Sequence, residues 1–448
     1  MVLFLGFAAA MIGMMLVAFN SGQVTNAKMR AMNAADAAAY SGAVWQARNL
    51  NFQAYMNRAM VVNEVTIAQS VSLRSWVGYV DKLVTNINTI AKFVPPIAVE
   101  VTAVQQVVRQ VDRAMQQMLP MAELAMRGLT NAEHSAQITF DSLAPLAAEE
   151  LAFNVAQQNG ASVSIGGKAL VALNLRDWAG FTRNYSPRGR NMGNRDERVR
   201  LREVTLNSRD GFVQERDWKT GIPWVFELRK QGGTDLIDYD AWKGLDSMEL
   251  RTVWNPLKSE WKVTPPIAWG GAQAYGNGRA TGIGTHGNTN EWNNQDGRNA
   301  RSAANSGTYA KNIRLRFPGY RDLEAPQLQK NDPRLAFAIE VVVAGTKIAT
   351  ARSAGRAQTA LLNGTVIDHD PQFQGRDAGV YAMSEACVAF ERPVARNDGA
   401  GEKAGLFNPY WHAFMATDSR AARLAVDTAK GLPSINALLG GAGTCVSK

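Results

Sequence analysis

The stretch VLFLGFAAAMIGMMLVAF, Val2 to Phe19, holds eighteen residues without a charge or a strongly polar side chain. As an α-helix it is about 27 Å long, close to the hydrocarbon thickness of a bilayer. A chain with such a segment must shelter it in lipid, in its own core or against other subunits. A cleaved signal peptide is a further reading. It wants a basic region ahead and a small-x-small cleavage site behind, and neither is seen. Residues 2–19 are therefore read as a membrane anchor in contact with lipid.

Within the span, Gly6 with Ala10 and Ala9 with Gly13 repeat small residues at four-residue spacing. That spacing lets helix backbones approach closely in lipid, where apolar burial supplies no drive to associate. Beyond it runs NAADAAAYSGAVWQARN, Asn33 to Asn49, with seven alanines and one acid, Asp36. Two readings of Asp36 stand open. It is a solvated charge on the helix face of Lys28, or it sets registry by pairing with Lys28 or Arg30 of an adjacent subunit. Those two cations follow the span, so charge alone would keep the bulk of the chain in the cytoplasm.

Farther on, Leu73, Trp76, Val80, Leu83, Ile87, Ile90 and Val94 step by three and four residues. After Pro95-Pro96 the same stepping resumes at Ile97, Val101, Val104, Val108, Val111, Met115 and Met118. Two apolar seams of three heptads each, broken by a Pro-Pro turn, predict an antiparallel coiled-coil hairpin. It would place Leu83 near Val108 and Trp76 near Met115. Pro120 is expected to end the second helix, with a third over 121–158 kinked near Pro145.

The first 150 residues carry six of the 39 glycines and two of the 11 tryptophans. The rest of the chain is rich in both, and in arginine. Short runs such as WVFEL (224–228), IRLRF (313–317), RLAFAIEVVVAG (334–345) and GVYAMSEACVAFE (379–391) read as strands. Residues 270–312, with nine glycines and eight asparagines, read as an exposed loop. A last helix is expected near 418–431, capped by Asp418 or Thr417 and stopped by Gly431. The fold class is thus α+β. An anchor with an extended helix (1–63) leads into a helical hairpin or bundle (64–158) and then a β-rich domain (159–448).

The net charge of +9 lies wholly beyond residue 150. Arg188, Arg190, Arg195 and Arg198 fall in a segment with seven arginines in twenty residues, 183–202. Such a run is a solvated face balanced by Asp196 and Glu197, or a patch for phosphate, nucleic acid or anionic lipid. Seven tryptophans between Trp218 and Trp292 read as buried anchors of the β-rich part, with an exposed stacking ladder as the alternative. The two cysteines, Cys387 and Cys445, are 58 positions apart, in no metal-ligand spacing. A disulfide, which would favour export, and two free thiols both fit. The four histidines form no HxH or HExxH set, and His369 in DHD has nothing nearby to complete a metal site. Nucleophile-elbow, P-loop and dinucleotide-binding signatures are missing. Neither catalysis, a cofactor nor a metal is expected.

The apolar span followed by NAADAAA, Asn33 to Ala39, resembles the tight-adherence (Tad, or Flp) pilus assembly proteins of the TadE/TadG-like kind. LFNPYW (406–411) is similar to these proteins as well. The resemblance implies a bacterial inner-membrane, single-pass component whose C-terminal domain is periplasmic or extracellular. It implies a pilin-like structural or assembly role, with other pilus subunits, or copies of itself, as partners. The sequence departs from the family's pattern in three respects. Basic residues do not precede the span, a Gly-x-x-x-Glu leader is not visible, and the DxSxS motif of metal-dependent adhesion domains is missing. A membrane-tethered binding module for DNA or polysaccharide, using the Arg- and Trp-rich segments, is the alternative.

Overall fold

No proline interrupts the chain before Pro95. In the computed structural model it accordingly runs as one helix, α1 (Val2–Ala91), and resumes as α2 (Pro95–Gln158). Pro95 opens α2 at a position where a helix has no use for the missing N–H. The structure describes residues 1–91, 95–185, 199–237, 241–258, 260–263, 265–275, 295–306, 308–309, 319–348, 379–394, 396–399, 401–431 and 445–446. The run IRLRF and residues 276–294 lie outside them.

The remaining elements, in chain order, begin with β1 (Ser162–Val163), α3 (Ile165–Ala179), β2 (Thr182–Tyr185), α4 (Val199–Asn207) and α5 (Gly211–Gln214). Next come β3 (Trp218–Ile222), β4 (Phe226–Ile237), β5 (Ala241–Asn255), β6 (Glu260–Val263) and β7 (Pro266–Tyr275). Then follow α6 (Gln295–Ser306), β8 (Thr308–Tyr309), β9 (Tyr320–Leu323), α7 (Ala325–Leu328), β10 (Leu335–Ala344), β11 (Gly379–Phe390), β12 (Trp411–Ala416) and α8 (Arg420–Ala429). Unit 1 comprises Met1–Tyr55, Gln137–Arg183 and Arg321–Lys448, and unit 2 comprises Met56–Ala136 and Asn184–Tyr320. Each unit combines helix and sheet, so the units do not follow the consecutive segments 1–63, 64–158 and 159–448.

In unit 1 the strands form an antiparallel sheet in the order β1-β10-β11-β12. Side chains alternate across β10. Phe337, Ile339, Val341 and Val343 join the alanines of α1 and α2 in one core, while Ala338 meets Leu170 of α3 and Ala422 and Val426 of α8. With both faces covered, β10 reads as an almost unbroken apolar run. The strand β1 reaches only Val341 and Val342. Beyond it Asn174 stands in for a strand, donating to Ala338 O at 3.0 Å and accepting from Ala338 N–H at 3.1 Å. Ser419 caps α8, one residue beyond the Asp418 expected, because its hydroxyl accepts from Ala422 N–H.

Within unit 1, α1 and α2 pair through amides. The Gln53 and Gln137 side chains each donate to the other's backbone carbonyl, at 3.1 and 3.0 Å. In unit 2 the antiparallel pairs are Arg74 with Asp112, Asp81 with Arg109 at 3.7 Å, and Asn88 with Gln105 at 2.7 Å. This is the alignment expected of the hairpin, but not the seam. Trp76, Ile87, Val104, Val111 and Met118 are exposed. Val80 and Leu83 pack instead with Tyr79, Met248 and Ala268. The sheet attracts the apolar side of α1, and polar side chains are left to face α2. The expected helix end at Pro120 is also absent, since α2 runs on through it and through Pro145. Each proline removes one helical hydrogen bond, a loss of about 3 kcal/mol, beside the buried Leu119 and Ala144.

The sheet of unit 2 has the order β3-β4-β5-β7-β8, with β6 beside β5. Gly270 of β7 allows α1 to lie against the strand. A Cβ there would sit 2.1 Å from Ser75 O and 2.3 Å from Tyr79 N. The opposite face of β7 takes α6 through Ala300 and Ala304. The 270–312 segment is therefore not one exposed loop, because its ends are a buried strand and a packed helix. Buried Asp246 accepts from Ser75 Oγ at 2.7 Å and from Arg216 at 3.0 and 2.9 Å, and pairs with Lys230. Glu64 pairs with Arg127 and accepts from the Trp242 indole at 3.1 Å, all three buried.

Two other buried carboxyls are less well served. Burial pushes Glu123 up to about 7, against the opposing pull of Arg127, and neither of its oxygens has a hydrogen-bond partner. Burial also pushes Glu149 up to about 7, although Asn174 donates to it at 2.7 Å. Such groups fold protonated without cost below about pH 4.5. As pH rises from there to about 7, the unfolded chain ionises first and stability falls. Glu123→Gln and Glu149→Gln are each expected to flatten that decline. Their melting temperatures should match the parent near pH 4.5 and exceed it by several degrees at pH 8, as thermal melts across pH would show.

Candidate membrane anchor and helix interface

The first nineteen residues include no buried position. Val2, Leu3, Phe4, Leu5 and Phe7 are each 66% exposed or more. This part of α1 is long and apolar enough to cross a membrane, and none of its most apolar window is buried. The small residues Gly6, Ala9 and Ala10 are exposed and Gly13 half-buried. A Cβ added at Gly6 would meet nothing within 4 Å.

Burial begins just beyond. Ala27, Ala31, Ala34, Ala35, Ala38, Ala39, Ala43 and Ala47 are 5% exposed or less and form one stripe of α1. They share a core with Ala144, Ala148, Ala152 and Ala156 of α2, spaced every four residues, and with the inner side chains of β10 and β11. Small side chains let the helix backbone come close to its neighbours. At Gly42 an added Cβ would lie 2.3 Å from Phe337 Cε1.

The question posed by Asp36 has an answer inside the chain. Its Oδ1 accepts from Ser384 Oγ of β11 at 2.5 Å. Two turns earlier, Lys28 Nζ donates to Tyr381 O of the same strand at 2.6 Å. These contacts fix α1 along β11. The registry that these two contacts set lies within one molecule.

Cys387 of β11 and Cys445 form a disulfide with the sulfurs 2.04 Å apart. The buried Glu385 accepts from Ser419 N–H at 2.9 Å, and Arg334 donates to Cys445 O at 2.6 Å. The cluster Glu385, Cys387 and Cys445 has metal-ligand spacing. With the sulfurs bonded to each other it offers no thiolate.

Arg188, Arg190, Arg195, Arg198 and His369 lie outside the described residues. Of the tryptophans read as buried anchors, only Trp242 among the described ones is fully buried, whereas Trp218 and Trp224 are 46% and 72% exposed. The sequence reading missed the Glu64–Arg127–Trp242 group. Its signal was a lone acid at Glu64 inside the otherwise apolar and amide-rich VVNEVTIAQ.

Two outcomes follow from this packing. Gly42→Val should cost roughly 1–3 kcal/mol by overpacking against Phe337, while Gly128→Ala, where a Cβ meets nothing, should gain about 0.5–1 kcal/mol. Urea unfolding of both variants checks the contrast. Replacing Cys387 and Cys445 together with alanine should cost roughly 2–4 kcal/mol, read as a lower melting temperature that no longer responds to reductant.

Comparison with known proteins covers this same region. No curated protein and no solved structure matches the chain. Residues 1–47, the exposed span and the alanine stripe together, match the family model described as Putative Flp pilus-assembly TadE/G-like.

Proposed function

We propose that this protein is a pilin-like structural and assembly component of a Tad-type pilus. Residues 2–19 sit in the inner membrane or in the core of a filament, and the remainder is carried on the periplasmic or outer side. It acts through helix packing and protein–protein contacts with other pilus subunits or copies of itself, and does no catalysis. The observation that carries the reading is the bare apolar segment continuous with a packed helix, in the region where the family model matches. The Cys387–Cys445 disulfide supports an oxidising compartment. The exposed Gly6, Ala9 and Ala10 suit close helix contacts in lipid.

Deleting residues 2–19 tests this directly in the native host. The truncated protein is expected to leave the membrane fraction and to reduce or abolish surface pili. Retention in the membrane with normal piliation would overturn the proposal.

A further inference from the structure

At one end of the unit 2 sheet, β3 and β4 join through the turn Pro223-Trp224-Val225, and Trp254 of β5 lies opposite Trp261 of β6. Between them lies an open groove of about 940 Å³ lined by Trp218, Trp224, Trp254 and Trp261. The strand β3 is exposed along its whole length. Trp254 and Trp261 are cross-strand partners, their rings edge to face at 5.2 Å and 67°.

Trp224 occupies an expensive position. Val225 N–H donates to Ile222 O at 3.0 Å, closing a four-residue turn with Pro223 second and Trp224 third. Its φ of +62° places Trp224 where such turns favour glycine. A bulky residue held there is strained and contributes little to the core, being 72% exposed. The fold gains nothing evident from it, whereas a ligand would gain a presented aromatic face.

Two of the four cations beside these rings are already paired. Lys219, Arg229, Lys230 and Arg251 line the groove with Asp217 and Glu227. Lys230 is neutralised by Asp246, and Arg251 by Glu227 at 3.3 Å and by Glu249. A nucleic acid, with a charge on every phosphate, would meet Asp217 and Glu227 here, and Lys230 and Arg251 are already held by carboxylates. Aromatic faces beside planar, fixed hydrogen-bond donors and acceptors suit a different ligand. A pyranose ring has an apolar C–H face and a rim of hydroxyls that both donate and accept.

We infer that this groove binds an uncharged glycan chain, its sugar rings stacked on Trp224, Trp218 and the Trp254–Trp261 pair, its hydroxyls held by Glu227, Arg229 and Arg251. The inference is independent of the pilus proposal, since the groove involves neither the anchor nor α1's alanine stripe.

The full-length protein in detergent micelles would be titrated with hexasaccharides of β-1,4-glucose, β-1,4-N-acetylglucosamine and α-1,6-glucose. Tryptophan fluorescence and calorimetry report binding. At least one sugar is expected to bind saturably, with an affinity that does not change between 50 and 500 mM salt. Trp224→Gly is expected to weaken that sugar at least tenfold while the melting temperature holds or rises, because glycine relieves the turn. Three results would overturn the inference: none of the three sugars binds; Trp224→Gly binds as the parent does; or the Trp224-dependent ligand proves to be a 20-nucleotide oligo-dT with steep salt dependence, or phosphatidylglycerol vesicles offered to protein held in nanodiscs.

Discussion

Close approach of the α1 backbone to β-strands is the constraint on which the rest of the structure depends. In unit 1 the approach is made by eight buried alanines and by Gly42 against the Phe337 ring, and in unit 2 by Gly270 beneath Ser75 and Tyr79. Alanine loses no rotamer entropy on burial. At about 0.8 kcal/mol per buried carbon, eight methyls contribute on the order of the whole net stability of a domain. Larger side chains would bury more area but hold the surfaces apart. The many close backbone contacts would then be lost together.

Such a smooth interface fixes distance better than it fixes alignment. A seam repeating every seven residues can slip by one heptad and bury nearly the same area. The polar pairs between α1 and α2 remove that freedom. Gln53 and Gln137 satisfy each other's carbonyls only in one alignment, and Asn88 meets Gln105 only in one. The Glu64–Arg127 pair with the Trp242 indole acts likewise within unit 2. Slippage there would leave a buried charge without its partner, at several kcal/mol. Registry against the sheet rests on the same device, with Lys28 and Asp36 both bonded to β11.

What the sequence discloses follows from this. The span, the start of α2 at Pro95 and the strands β10 and β11 are legible because each rests on a local pattern: apolar length, a missing N–H, or a doubly buried strand. The face of each helix is not legible, since heptad stepping says that a seam exists without naming what covers it. Trp76 and Ile87 continue the apolar steps yet stay exposed, while Ser72 and Ser75, outside the steps, are buried under the sheet. Gly270 and Gly271 look like loop residues in the sequence because a strand pressed between two helices also demands glycine. The exposure of Trp218 and Trp224 is hidden in the sequence for the converse reason. Aromatic residues bury most area in a core, and only the strained turn at Trp224 sets that one apart.

The helix α1 changes environment along its length, and this bears on how the proposed anchor works. Four of the five alanines of the NAADAAA stretch are buried in the chain's own core and Ala37 is half-buried, so little of a small-residue face is left there for a neighbouring subunit. Contacts through the helix in a membrane or filament then fall to residues 2–19, whose Gly6, Ala9 and Ala10 remain uncovered. Between Phe19 and Ala27 lie about 12 Å of helix, carrying the uncharged NSGQVTN. The headgroup layer on each side of a bilayer is about half that depth. A polar, uncharged helical stem of this length brings the first sheet-packed residues clear of the lipid, and it does so without a flexible joint. The orientation of unit 1 at the membrane would then be set by the helix itself.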